Sequence, residues 1–165
     1  MEKQSFRRIL ELLDRHGVEY IVVGGVAAVL RGAPVTTFDI DTLVRLTREN
    51  ATRLVAALRE LDARYREHPE RVEPSVDDVL AGGHLLLMTN CGPLDVLGHI
   101  SGGRRYEDLT DHAPELSVGG QGIRVLGLEA LIGEKKAMSR AKDRAVIGLL
   151  EGVLHQQRNK DSGKR

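Results

Sequence analysis

Cysteine, tryptophan and aromatic residues are scarce, and charge of either sign has no majority. Cys91 is the single cysteine of 165 residues. That excludes an intramolecular disulfide framework and fits a reducing, cytoplasmic setting. Aromatics are 3% with no Trp, too few for a platform that stacks single-stranded nucleic acid. Lys+Arg and Asp+Glu are 24 each, so neither a uniformly basic nucleic-acid binder nor an acidic disordered chain fits. The longest apolar run, Tyr20 to Leu30, is about half of the roughly 20 residues a helix needs to cross a bilayer. The opening residues MEKQSFRRILELLDRH lack the apolar region of a signal peptide.

The balanced charge is unevenly spread. Residues 135–165 hold nine Lys/Arg against three acids, a net +6, and the preceding 134 residues carry −6. A basic end facing an acidic body reads either as a solvated tail and helix face or as a phosphate-binding wall opposite a cation site.

The patterning predicts a mixed α/β (α+β) layer fold, a mixed central sheet flanked by helices with two more helices at the C-terminus. Phe6, Ile9, Leu10, Leu12 and Leu13 recur at helical spacing over residues 3–16, and Gly17 stands where a C-cap belongs. Strands are expected over 19–23, 37–44, 85–89 and 94–100. The last two form a hairpin around Asn90–Pro93, and a second hairpin surrounds Gly119–Gly122. Helices are expected over 26–31, over 48–61 behind a Thr47 cap, after Ser75, over 104–109, and over 128–137 and 143–156. Residues 1–157 are expected to form one domain, with 158–165 a disordered basic tail.

Three features carry chemistry. Gly24-Gly25 sits between a strand and a helix. Glycines there let a ligand approach the backbone, and N–H groups at a helix start favour an anion. Alone the pair is a weak sign, since no Walker or dinucleotide-binding fingerprint surrounds it. Asp39-Ile40-Asp41 is read as part of a strand, where alternation sends both carboxylates one way, about 7 Å apart at Cα, and Ile40 into the core. Such a pair can share an oxygen-loving cation such as Mg²⁺, and Asp is otherwise depleted in strands. Asp95 lies between apolar neighbours in Leu94-Asp95-Val96-Leu97, a costly position unless it is paired or bound to metal. The six histidines show no zinc-ligand spacing, and no Gly-x-Ser-x-Gly elbow is present.

Taken together, IVVGG, TFDIDTLV and GPLDVLG resemble the signature of the nucleotidyltransferase superfamily related to DNA polymerase β. The stretch 20–44 is similar to the small prokaryotic branch, which includes AbiEii-type toxins and antibiotic-modifying nucleotidyltransferases. Leu131–Lys135 followed by Arg140-Ala141-Lys142-Asp143 resembles that branch's LIxxK…RxKD segment, so the likeness covers residues 18–150. The resemblance implies transfer of a nucleoside monophosphate from an NTP, ATP among them, to a hydroxyl, with release of pyrophosphate. Asp39, Asp41 and Asp95 would be the catalytic and metal residues, holding Mg²⁺ or Mn²⁺. Gly24, Gly25, Thr36, Thr37, Lys135, Arg140 and Lys142 would lie along the nucleotide, with Asp143 orienting one of the cations. The acceptor implied is a tRNA or a small hydroxylated molecule, the tRNA case with an antitoxin partner; a homodimer and a catalytically silent nucleotide-binding module are further readings. The branch's usual Arg before Thr-Thr is replaced by Val35, which leaves Arg31 or the C-terminal cations to supply that contact.

Overall fold

The computed structural model describes residues 3–68, 70–138 and 141–163. A five-stranded mixed sheet is built from β1 (Tyr20–Val23), β2 (Ile40–Val44), β3 (Arg64–Tyr65), β4 (His84–Thr89) and β5 (Gly92–Leu97). Its order is β1-β2-β5-β4-β3, with β2 and β5 parallel and the other neighbours antiparallel. Seven helices accompany it among the described residues: α1 (Lys3–Arg15), α2 (Gly24–Leu30), α3 (Arg48–Glu60), α4 (Val76–Leu80), α5 (Tyr106–Leu109), α6 (Leu128–Met138) and α7 (Ala141–Ser162). A separate hairpin, β6 (Glu115–Val118) and β7 (Gln121–Arg124), turns at Gly119-Gly120, both with positive φ.

The pleat sorts the sheet's residues. On one face Val22, Ile40, Leu87, Leu94 and Val96 are buried, in one core with Ile9, Leu13, Leu54 and Leu58 of α1 and α3. Those helices supply the apolar stripes that their 3.6-residue period dictates. On the opposite face Pro93, Asp95 and Leu97 of β5 are only partly buried, and His84, Leu86 and Met88 of β4 are exposed. That open face is where a ligand can reach the sheet.

Local signals end the elements where expected. Gly17 (φ +71°) closes α1, with Val18 N–H returning to the Leu13 carbonyl. The Thr47 hydroxyl accepts from Asn50 N–H at the start of α3, and Ser75 with Asp78 forms a capping box on α4. Buried Asn50 bonds both backbone groups of Glu19 and the Arg45 carbonyl, locking the entry of β1 to the exit of β2.

Several boundaries differ from the sequence reading, among them the strand expected over 94–100, which runs Gly92–Leu97. The second strand begins at Ile40, so Asp39 precedes it in a bend where the Thr37 hydroxyl bonds the Asp39 carbonyl (3.1 Å). The two-residue β3 was not foreseen, being too short to show alternation. The C-terminal helix continues to Ser162, past the 143–156 expected for it and into the segment expected as a tail. There an Arg158–Glu129 ion pair ties it to α6, and Ser162 Oγ and Asn159 Nδ2 bond residues one turn back. Among the described residues no helix is long and apolar enough to cross a membrane.

Candidate active site

Parallel pairing of β2 and β5 sets Asp41 directly beside Asp95. Both are on the open face, and Asp39, one bend earlier, joins them. One carboxylate oxygen from each of the three lies within 4.8 Å of the others. The expected strand placement of Asp39 thus fails while the clustering it implied holds.

Strand β1 delivers the glycines. Val23 pairs with Asp41, so Gly24 leaves the sheet against that carboxylate. Gly24 has φ +65°, and a Cβ there would collide with Asp41 Oδ2. A Cβ at Gly25 would lie 2.7 Å from Thr37 Oγ1. Glycine at 24 is required both by the left-handed backbone and by the approach of the carboxylate. Helix α2 starts at that point.

These groups line one end of a cleft of ≈ 860 Å³. Its other end is lined by His84, Leu97, His99, the Ile100–Gly103 loop and α6 through Leu131, Glu134, Lys135 and Met138. Lys135 reaches into the cleft from α6 and pairs at 3.2 Å with Asp143, which is 1% exposed. Glu134 takes the Ser101 hydroxyl (2.6 Å) and the Arg104 guanidinium, fastening the loop to α6.

Burial and the like charges of Asp95 and Asp39 push the Asp41 carboxyl up to about 7, with Lys135 opposing. Three carboxylates at this separation repel one another unless a proton or cation joins them. Their all-oxygen donor set fits a hard divalent cation. Arg66, just past β3, forms an ion pair with Asp95 Oδ1. Nothing in the sequence marked Arg66, because its place depends on β3 pairing with β4.

Of the other expected contacts, Gly24, Gly25 and Lys135 line the cleft, while Thr36 and Thr37 are not among its lining residues. Thr36 is exposed, and Thr37 shapes the turn before Asp39. Arg140 lies outside the described residues, as does the Lys142 side chain. Arg31 does not replace the missing arginine at Val35. Its guanidinium bonds the carbonyls of Pro114 (2.8 Å), Val125 (2.6 Å) and Leu126 (3.4 Å), away from the cleft.

No protein-family profile matches the sequence, and neither does any curated protein. Solved structures do match. The lincosamide antibiotic adenylyltransferase LnuA, solved with lincomycin bound, aligns at TM-score 0.65 and 17% identity, over 93% of this chain and 98% of that one. ANT(2")-Ia in complex with adenylyl-2"-tobramycin aligns at 0.61 and 18%, over 99% and 100%. A putative nucleotidyltransferase from Thermotoga maritima, TM1012, aligns at 0.54 and 20%, over 98% and 92%. With its five-stranded mixed sheet, its flanking helices and these matches along nearly its whole length, the chain has the nucleotidyltransferase fold.

Proposed function

We propose that this chain is a divalent-metal-dependent nucleotidyltransferase that moves a nucleoside monophosphate from an NTP to a hydroxyl of a small acceptor. The observation that carries the reading is the cluster of Asp39, Asp41 and Asp95 within 4.8 Å on the open sheet face, beside a helix that begins with two glycines. Asp39, Asp41 and Asp95 would hold Mg²⁺ or Mn²⁺, which supplies charge neutralisation at phosphate oxygens. The backbone at Gly24-Gly25 gives the phosphates an approach no side chain obstructs. Lys135, steadied by Asp143, adds a positive charge on the opposite wall. Asp95 has one oxygen held by Arg66, and the other would either complete the cation site or accept the proton of the attacking hydroxyl. The acceptor oxygen forms a bond to the α-phosphorus, the bond to the bridging oxygen breaks, and pyrophosphate leaves in line.

A small acceptor is favoured over tRNA by two considerations. LnuA is a lincosamide antibiotic adenylyltransferase solved with lincomycin, and ANT(2")-Ia was solved with adenylyl-2"-tobramycin. The basic C-terminal segment that motivated a tRNA-modifying toxin with an antitoxin partner is partly spent internally, in Lys135–Asp143, Lys136–Glu151 and Arg158–Glu129 pairs.

The test is incubation of the protein with Mg²⁺, each labelled NTP and, in separate reactions, pooled small hydroxylated compounds or cell RNA. Label should pass to a small acceptor and be lost in Asp39→Ala/Asp41→Ala. Full activity of that double variant would remove the assigned site. No thermal stabilisation by any NTP with Mg²⁺ or Mn²⁺ would remove the enzyme reading altogether. Nucleotide stabilisation without transfer to any acceptor would favour the catalytically silent module.

A further inference from the structure

The sheet register gives the cleft a direction. Gly24-Gly25 and Asp39 stand at the entry of β2, and Asp41 and Asp95 are paired just beyond. β5 ends at Leu97, which faces His84 across the β4 pairing, and His99 follows the bend at Gly98. At about 3.3 Å per residue, Leu97 lies roughly 7 Å past Asp95 along the strand, with His99 beyond it. A triphosphate seated at the glycine end, with its α-phosphate over the carboxylates, would reach along the cleft with its nucleoside toward this far end.

The two rings there are unusually well specified. His99 Nδ1 lies 2.9 Å from the Gly82 carbonyl, and His84 Nε2 lies 3.2 Å from the His99 carbonyl. A carbonyl only accepts, so each of these nitrogens carries a proton and donates it. In the neutral rings His99 Nε2 and His84 Nδ1 are therefore bare acceptors, and neither has a hydrogen bond among the described residues. The ring centroids are 5.0 Å apart, and both side chains line the cleft. Gly98 makes this possible, because a Cβ there would strike the Gly82 backbone. In the same end of the cleft Leu97, Ile100, Leu131 and Met138 are apolar, Gly102 and Gly103 contribute no side chain, and Ser101, Glu134 and Lys135 are polar. Apolar walls with two fixed acceptors among a few polar groups suit a ring bearing hydroxyl or amino donors.

We infer that His84 and His99 form the nucleoside-reading subsite, accepting hydrogen bonds from ribose hydroxyls or base amino groups of the bound NTP. This rests on the nucleotidyltransferase reading and assigns the part of the substrate that the carboxylates and glycines leave unheld.

The experiment uses the full chain labelled with ¹⁵N-histidine and observed by long-range ¹H–¹⁵N NMR. His99 should be the Nδ1–H tautomer and His84 the Nε2–H tautomer. Adding Mg²⁺ with α,β-methylene ATP, GTP, CTP and UTP in turn should move at least one bare nitrogen upfield as it accepts a hydrogen bond. The matching variant is His84→Gln/His99→Asn. These amides keep a donor at the position of the bonded nitrogen and leave no acceptor at the position of the bare one, since the amide oxygen lies elsewhere. It should melt like wild type and bind Mn²⁺ unchanged, while MgNTP affinity falls about three- to tenfold, the effect of one neutral hydrogen bond. Unmoved bare nitrogens in a protein that does bind MgNTP, or wild-type nucleotide affinity in the variant, would overturn the inference. A wild-type protein that binds Mn²⁺ but no nucleotide would instead bring down the nucleotidyltransferase reading, and this subsite with it.

Discussion

Replacing Asp41 by Asn should stabilise the metal-free protein at neutral pH while impairing metal binding. The Asp41 carboxyl is pushed from 3.8 up to about 7 by burial, by Asp95 and by Asp39. Between those values the folded state holds a proton that the unfolded chain has released, so stability is lost as pH rises from about 4 to about 7. At ~1.4 kcal/mol per pH unit the whole effect is on the order of a few kcal/mol. Asn has the same shape and no charge, so it removes the penalty. For a chain of this size that is a gain of roughly 5–10 °C in melting temperature at pH 8. The assay is thermal unfolding of both proteins in EDTA from pH 4 to 8, repeated with Mn²⁺. The Asn advantage should be largest at pH 8 and shrink toward zero by pH 4. Mn²⁺ should raise the wild-type melting temperature and leave the variant nearly unchanged. An advantage that is absent at pH 8, or that does not vary with pH, would refute the mutual repulsion on which the cation site is argued.

Three other substitutions probe the same architecture. Gly24→Ala sets a Cβ against Asp41 Oδ2 at φ +65°; it should cost at least about 1–2 kcal/mol by denaturant unfolding and weaken Mn²⁺ binding measured calorimetrically. Arg66→Ala removes the cation paired with Asp95. The metal-free protein should melt lower while Mn²⁺ binds more tightly, and weaker Mn²⁺ binding would show that Arg66 orders the site rather than competing with the ion. Lys135→Met strips a cationic partner from Asp143, which is 1% exposed. It should cost about 1–3 kcal/mol in urea unfolding, and adding Asp143→Asn should recover part of that loss, the coupling being read from a double-mutant cycle.

The legible part of the site and the hidden part differ for a physical reason. Strand alternation is a local rule, so Leu94-Asp95-Val96 announces a carboxylate on the open face between two core residues, and the structure has Leu94 and Val96 buried with Asp95 between them. Caps are equally local, which is why Gly17, Thr47 and Ser75 could be read directly. Arg66 obeys no such rule. It follows a two-residue strand, and only the pairing of Tyr65 with Leu87 carries it to Asp95. His84 and His99 are 15 residues apart, and the roles of their ring nitrogens are fixed by backbone carbonyls that the β4–β5 register brings into range. The bend at Asp39 escaped for a different, local reason: the Thr37 hydroxyl's bond to its carbonyl competes with strand pairing in a way propensity does not encode.

That division has a chemical consequence. On the proposed function, the residues legible in the sequence, Gly24, Gly25, Asp39, Asp41 and Asp95, would address only what every NTP shares, its phosphates and their cation. Whatever distinguishes one nucleoside or acceptor from another must come from the wall assembled by long-range pairing: Arg66 beside Asp95, the histidine pair, and the loop that Glu134 fastens to α6. A substitution in the first group should therefore abolish transfer from all NTPs alike. A substitution in the second should change which nucleotide or acceptor is used while leaving Mn²⁺ bound. Transfer kinetics with each NTP, measured beside Mn²⁺ affinity, separate the two groups, and loss of Mn²⁺ binding in the histidine variants would show that the cleft is a single coupled site rather than a shared phosphate end and a selective far end.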